Sequence, residues 1–198
     1  MRFVVALLIG MSMCVRAPAA TPLRDGDLVF QTSRSGQSLA VQRATHSPWS
    51  HMGVVLMRGG QPYVFEASAT VRYTPLDQWA ARGDGGRYAV RRLKRPLTTD
   101  QLAKLHGAAG RYAGRPYDLY FEWSDERIYC SELAWKLYRD ALGIEIGARQ
   151  QLRDFDLTDA VVRAKMRERY GDRVPLKEPV ISPAAMYDSP LLETISTR

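Results

Sequence analysis

The sequence predicts one α+β domain. Three observations carry the prediction. Strand-like and helix-like runs are mixed without a regular βαβ alternation, two β-rich runs flank Gly59-Gly60 as a hairpin would, and apolar residues recur at helical spacing from Cys130 onward. A chain of 198 residues is long enough for one domain with a sizeable core. It shows no internal repeat and no low-complexity segment.

The elements follow in order. The first twenty residues, MRFVVALLIGMSMCVRAPAA, open on Arg2, continue as an apolar run over 3–15 and end in small residues. That is the order of a secretory leader, and the run is shorter than the about 20 residues a spanning helix needs. We therefore expect a leader over 1–20, a single exported domain over 21–198 and a periplasmic or extracellular location. A retained N-terminal anchor is the alternative. Cys14 does not read as a lipidation site, because Met13 stands where a small residue is needed.

DGDLVFQT then reads as a first strand after a turn, and GQSLAVQRAT as a short helix ended by HSPWS. HMGVVLM and PYVFEAS form the arms of the hairpin about Gly59-Gly60. TPLDQWAARG is a short helix begun at Pro75, GDGG at 83–86 a turn, and RYAVRRL a further strand. TTDQLAKLHGAAGRYAG opens with Thr and Asp cap candidates and spaces Leu102, Leu105 and Ala109 as a helix does. The loop RPYDLYFEWSDERIY leads into the Cys130 helix. Beyond Gly143 the chain turns polar, with a helix at LTDAVVRAKMRERYG and a Pro-punctuated tail to which no function is assigned.

Composition narrows the function. The formal net charge is +7, and loss of a leader would remove Arg2 and Arg16 from it. A basic chain often signals nucleic acid, but export argues against that partner. It favours anionic envelope material such as wall polymer or lipid headgroups, with peripheral contact to the envelope. The cations are scattered, which fits a solvated surface better than a docking patch. Several chemistries lack their motifs: there is no G-x-S-x-G, no phosphate-binding G-x-x-x-x-G-K, and no G-x-G-x-x-G opening a helix. Three histidines at irregular spacing give no zinc pattern, so neither a metal nor another cofactor is expected.

The cysteine count is the sharper clue. Of two cysteines, Cys14 falls in the leader, which leaves Cys130 unpaired in an oxidising compartment. Such a cysteine is an intermolecular bridge, an apolar filler or a reactive thiol. Cys130 heads a buried stripe of Leu133, Ala134, Leu137 and Ala141. A helix N-terminus stabilises an anion, and with an imidazolium nearby it can bring a thiol pKa to about 3.5–7.5. A packing cysteine would fit the same stripe, so placement alone leaves both readings open.

A nucleophilic thiol needs a base, and His46, His51 and His106 are the histidines of the chain. His106 lies within a helical run and His46 in a turn. For His51 the hairpin supplies an argument. With Gly59-Gly60 as the turn, Arg58 pairs with Gln61, Val55 with Val64, Gly53 with Glu66 and His51 with Ser68. His51 and Glu66 then share a face as diagonal neighbours, about 7–8 Å apart at Cα. Gly53 has no side chain to block the reach, and a lone carboxylate on this apolar face is costly unless paired. A Glu66 bonded to His51 Nδ1 would hold the ring with its other nitrogen toward a thiol. A one-residue slip would put the two on opposite faces.

GRPYDLYFEWSDERIYCSELAWKLY resembles the nucleophile segment of the NlpC-type papain-like cysteine hydrolases, with Gly114, Pro116 and Tyr117, then Cys130, Ser131 and Leu133 opening a helix. In ordinary members the cysteine comes first. Here SHMGVVL and VFEAS precede YCSELAWKLY, an order similar to the circularly permuted YiiX/YebB-like branch. The resemblance covers roughly 24–140 and extends loosely into ISPAAMYDSPLLE. It implies a permuted papain-like fold, with a small antiparallel sheet that carries the histidine packed against the nucleophile helix. It further implies Cys130 as nucleophile, His51 as base, Glu66 as orienting residue, and Tyr117 and Ser131 at the substrate. Tyr129 and Glu132 replace the Asp and Gly that flank Cys-Ser in ordinary members, so wall-peptide preference does not carry over automatically. The expected activity is hydrolysis of an amide through a thioester, first on cell-wall peptide. Alternatives are acyl hydrolysis or transfer on lipid, for which LYFEW could line a pocket, and a catalytically silent binding module.

Overall fold

A computed structural model of the chain describes residues 21–197. The expected leader and its cut site lie outside these residues. No helix among the described residues is long and apolar enough to cross a membrane.

The first strand, β1 (Leu28–Gln31), and the short helix α1 (Ser38–Thr45) stand where their patterns put them, and α1 ends where His46 turns into the left-handed region at φ 50°. The hairpin follows as β2 (His51–Arg58) and β3 (Gln61–Ala67). Gly59 and Gly60 form its turn at φ 57° and 78°, which other residues resist. The observed register runs from Arg58 opposite Gln61 to Val54 opposite Phe65, as the turn dictates. Gly53 lies against β3 so closely that a Cβ there would come within 2.4 Å of Val64 Cγ1.

Next come β4 (Val71–Pro75), α2 (Leu76–Ala81), a short 3-10 turn at Asp84–Gly86 and β5 (Ala89–Leu93). The long helix α3 (Thr99–Tyr112) is capped by Thr98, whose hydroxyl accepts from Gln101 N–H while the Gln101 side chain accepts from Thr98 N–H. The cysteine helix α4 (Cys130–Leu142) stops at Gly143, φ 67°. Beyond it lie β6 (Gln150–Gln151), α5 (Ala160–Tyr170) capped by Asp159, β7 (Pro179–Val180), α6 (Pro183–Tyr187) and β8 (Leu192–Thr197).

Six strands form one antiparallel sheet in the order β4-β3-β2-β1-β5-β8, and β6 pairs with β7. The fold is the expected α+β one. One face of the sheet, with Leu28, Phe30, Val54, Leu56 and Phe65, packs against α3 and α4 through Leu105, Leu133 and Leu137. The other face, with Val29, Val55, Val64 and Val90, is covered by Trp79 of α2 and Tyr88. Neither β4 nor β8 is legible as a strand in the sequence. The unassigned tail closes the sheet edge and ties to α4, where Ser131 Oγ donates to the Ile181 carbonyl at 2.8 Å.

Candidate active site

Three elements meet at the site: the first residue of β2, the end of β3 and the head of α4. His51 begins β2, and its Nε2 lies 2.6 Å from Oε2 of Glu66 on β3. The fully buried Glu66 carboxylate is further held through Oε1, which accepts from Thr74 Oγ1 at 2.6 Å and from the Arg82 guanidinium. Burial alone would raise the carboxyl. The His51 bond and charge, with Thr74 and Arg82, outweigh it and bring Glu66 down to about 2. Trp79 stacks on the ring, with centroids 6.0 Å apart and planes 30° from parallel.

The hairpin argument placed the carboxylate on Nδ1. In the structure it holds Nε2, so Nδ1 is the ring nitrogen left for Cys130. Cys130 heads α4 and is 5% exposed. Burial pushes its thiol up, but the hydrogen bond and charge of His51, with the backbone N–H groups of Met52 and Ser131, hold it below its ordinary value. Burial in turn lowers His51, while Cys130 and Glu66 raise it to about 9. All these directions agree on a thiolate–imidazolium pair backed by a buried carboxylate. Such an assembly supplies a nucleophile, a proton and a fixed ring orientation.

Tyr117 reaches this place through two isolated bridges, Thr70 with Pro116 and Tyr117 with Ile128, the second ending two residues before Cys130. Its hydroxyl accepts from Gln37 Nε2 at 2.7 Å. Ser131 lines the site cavity while its hydroxyl faces Ile181. Glu132 braces the helix. Its Oε2 accepts from Tyr129 N–H at 3.3 Å and its Oε1 lies 2.8 Å from Lys136 Nζ, which also reaches Asp125 at 2.7 Å. Burial raises Glu132 to about 8 against the pull of Lys136. The other two histidines stand apart: His106 Nε2 is 2.8 Å from Asp25 Oδ1, and His46 is 3.3 Å from Asp156.

Two openings meet here. A cavity of about 80 Å³ has Cys130 in its wall and is lined mainly by apolar side chains, among them Val41, Phe121, Phe155, Val162 and Ile181. A wider polar groove of about 760 Å³ has His51 in its wall, with Gln31, Ser33, Arg34 and Arg82. Gln37, Ser50, Tyr117 and Arg169 border both. Sequence reasoning missed Thr74 and Arg82, which come from elements placed against Glu66 only by folding. LYFEW, read as a candidate pocket lining, does supply Phe121 to the cavity, but the walls from α1, α5 and the 180–183 segment were missed. The apolar Val162 and Met166 within the α5 pattern were a local hint to them.

The fold and the pairing of a cysteine helix with a histidine strand define a class, the papain-like cysteine hydrolases in permuted order. The chain belongs to the family of permuted papain-like amidase enzymes, YaeF/YiiX, C92, whose model matches residues 22–196. It is 50% identical over 190 residues to the protein YiiX of Escherichia coli K12, described as uncharacterized, which spans 96% of this chain and 94% of that protein. A crystal structure of yiiX from Escherichia coli O157:H7, described as a metalloprotein, matches with a TM-score of 0.87 at 51% identity, covering 88% of this chain and 97% of that one. Among the described residues no group of three or more His, Cys, Asp or Glu side chains could hold a metal ion. His51, Glu66 and Cys130 are engaged with one another, and the donor set among the described residues does not fit a metal site.

Proposed function

We propose that the chain is an amidase in which Cys130 is the nucleophile, His51 the acid and base, and Glu66 the residue that orients His51. The Cys130 thiolate adds to the amide carbonyl carbon, and the carbonyl electrons move onto oxygen. On collapse the C–N bond breaks, and the His51 proton goes to the departing amine. Water then gives a proton to His51 and its oxygen to the thioester carbon, releasing the acid and restoring the thiolate. The oxyanion meets the N–H groups at the head of α4.

The observation that carries the reading is the position of the Cys130–His51–Glu66 chain between an apolar cavity on the cysteine side and a polar groove on the histidine side. In that orientation the acyl part of the substrate enters the cavity and the polar amine part leaves through the groove. The lipid-type acyl reading is therefore the one the geometry supports best. At about 80 Å³ the cavity is about half the roughly 150 Å³ that holds benzene, so it takes only a short acyl group. Cell-wall peptide is the second reading, favoured by the width and polarity of the groove. Export to the envelope, expected from residues 1–20, belongs to the same proposal.

The test is to incubate the purified protein with N-acyl amides of graded chain length and with muropeptides, and to follow both by mass spectrometry. Release of the fatty acid, lost in Cys130→Ala, supports the acyl reading. Release from muropeptides alone supports the second, and release from neither removes both.

A further inference from the structure

Gln31 ends β1, directly opposite His51 in the register of β1 with β2. By strand alternation it shares the sheet face of Val29, the face that Trp79 covers. Opposite residues of an antiparallel pair hold their Cβ atoms about 4.5–5.5 Å apart, so Gln31 and His51 stand side by side in the wall of the polar groove. Gln31 is only 1% exposed, yet neither its NH₂ nor its carbonyl oxygen has a hydrogen-bond partner among the described residues. Buried amides are normally paired, because an unpaired one keeps its desolvation cost. Gly83 makes the room for this one. A Cβ there would come within 2.4 Å of Gln31 Oε1, although the Gly83 backbone, at φ −79° and ψ 163°, suits any residue.

The groove also carries more positive charge than the fold uses. Glu168 is the one carboxylate in its wall among the described residues, and Lys165 Nζ already reaches it at 2.5 Å. Arg82 is engaged with Glu66, while its buried Nε has no partner. Arg34 donates to the Ala81 carbonyl at 2.6 Å and Arg169 donates to Gln37 Oε1. Both acceptors are neutral. Two guanidinium charges therefore border the groove without a counter-ion among the described residues, near an amide with an open donor and an open acceptor.

An amine that carries a carboxylate answers both features. The N–H of the scissile amide donates to Gln31 Oε1, the carboxylate accepts from Gln31 Nε2, and its charge meets the two arginines. A neutral amine leaves the arginines unanswered, and a cationic one is repelled by them. We propose that the groove binds the amino-acid part of an N-acyl amino acid, with Gln31 reading the scissile N–H and the α-carboxylate and with Arg34 and Arg169 supplying the charge. The products are then a short-chain acid from the cavity and a free amino acid from the groove.

This inference deepens the amidase reading and rests on it, and the experiment separates the two. Alkylation by iodoacetamide and acylation by p-nitrophenyl butyrate report on Cys130 and the cavity, because neither reagent offers an amine to the groove. Hydrolysis of N-butyrylglycine, N-butyrylglycinamide and N-butyrylethylenediamine is then compared in the wild type, Gln31→Met, Gly83→Ala and Arg34→Met. In the wild type, kcat/KM for N-butyrylglycine should exceed that for the glycinamide by about tenfold or more, with the ethylenediamine amide slowest. Gln31→Met removes the amide, and Gly83→Ala displaces it from the other side. Both should slow N-butyrylglycine hydrolysis by roughly 10- to 100-fold relative to acylation by the ester. Arg34→Met should shrink the preference for glycine over glycinamide by roughly three- to tenfold. Because the Gln31 amide has no partner to lose, Gln31→Met should unfold at no lower urea concentration than wild type.

Equal rates on the glycine and glycinamide substrates would overturn the proposal, as would hydrolysis of neither by a protein that the ester acylates. An undiminished N-butyrylglycine rate in Gln31→Met and Gly83→Ala, or a lower urea midpoint in Gln31→Met, would make Gln31 a packing residue and overturn it too. A wild-type protein that alkylates only as a free thiol does, and is not acylated by the ester, would instead remove the amidase reading beneath it.

Discussion

Glu66 Oε2 meets His51 at Nε2, 2.6 Å away, and so leaves Nδ1 for Cys130. The imidazole therefore lies between a carboxylate and a sulfur, each of which stabilises its charged form. With Cys130 held below its ordinary value and His51 raised to about 9, both shifts favour the ion pair. Iodoacetamide alkylation should reach its plateau at a lower pH than it does for a free thiol, and should lose that advantage in His51→Ala. Amide hydrolysis should also fall as pH rises through about 9, because His51 then has no proton for the leaving amine, while alkylation stays high. A thiol that titrates near 8.5 in both proteins would make Cys130 a core filler.

The same groups shape stability. Glu66 is brought from 4.5 down to about 2, so its contribution is present above about pH 4.5 and is lost as pH falls toward 2. His51 is raised from 6.5 to about 9, so its contribution is complete below about 6.5 and is lost as pH rises through 9. Glu66→Gln should flatten the acid side of the stability curve and cost about 3–5 kcal/mol near neutrality, since it leaves Arg82 and His51 facing a neutral amide. Arg82→Met should cost less, because that side chain is 39% exposed. Urea denaturation at pH 3, 5, 7 and 9 reads both. An unchanged acid limb in Glu66→Gln would show that Glu66 is not the group titrating there.

How much of this was legible in the sequence depended on distance along the chain. A glycine pair fixed the hairpin register, and the register put His51 and Glu66 on one face. Thr and Asp cap candidates marked the head of α3, where Thr98 takes the cap. By contrast, β8 becomes a strand only by pairing with β5 about a hundred positions earlier, and its own residues, LETIST, alternate weakly. The polar run VRYT of β4 needs the edge of β3 to become a strand. Thr74 and Arg82 approach Glu66 through those tertiary placements, and Arg169 approaches Gln37 the same way. Which ring nitrogen of His51 meets the carboxylate depends on a side-chain torsion, and no pattern of residue types records it.

The bulky residue beside Cys130 carries its own expectation. Glu132 is absent from the walls of both openings, and its carboxyl, raised by burial to about 8, faces Lys136 inside the protein. Lys136→Met should therefore destabilise by about 1–3 kcal/mol, since it leaves a buried protonated carboxyl and the Ser124 carbonyl without their partner. Glu132→Met combined with Lys136→Met should recover most of that loss, because an apolar pair of similar volume has no charge to desolvate. The acyl-chain preference should not move in either variant. A shift in preference without loss of stability would place Glu132 at the substrate after all.

The cavity makes the last prediction quantitative. Each methylene of an acyl chain moved from water into an apolar site contributes about 0.8 kcal/mol, roughly fourfold in rate when the gain is realised in the transition state. Acylation of Cys130 by p-nitrophenyl esters should therefore rise from acetate to butyrate and then level off, because the space is only about 80 Å³. Ala44 borders that space from α1 and is only partly buried, so Ala44→Phe can fill it without disturbing Cys130, His51 or Glu66. That variant should keep the acetyl rate within about threefold and lose the gain toward butyrate. Alkylation by iodoacetamide should be unchanged, which separates a blocked cavity from a damaged nucleophile. If the chain-length profile of Ala44→Phe matches wild type, the acyl group does not enter this cavity, and the groove becomes the place to look for both halves of the substrate.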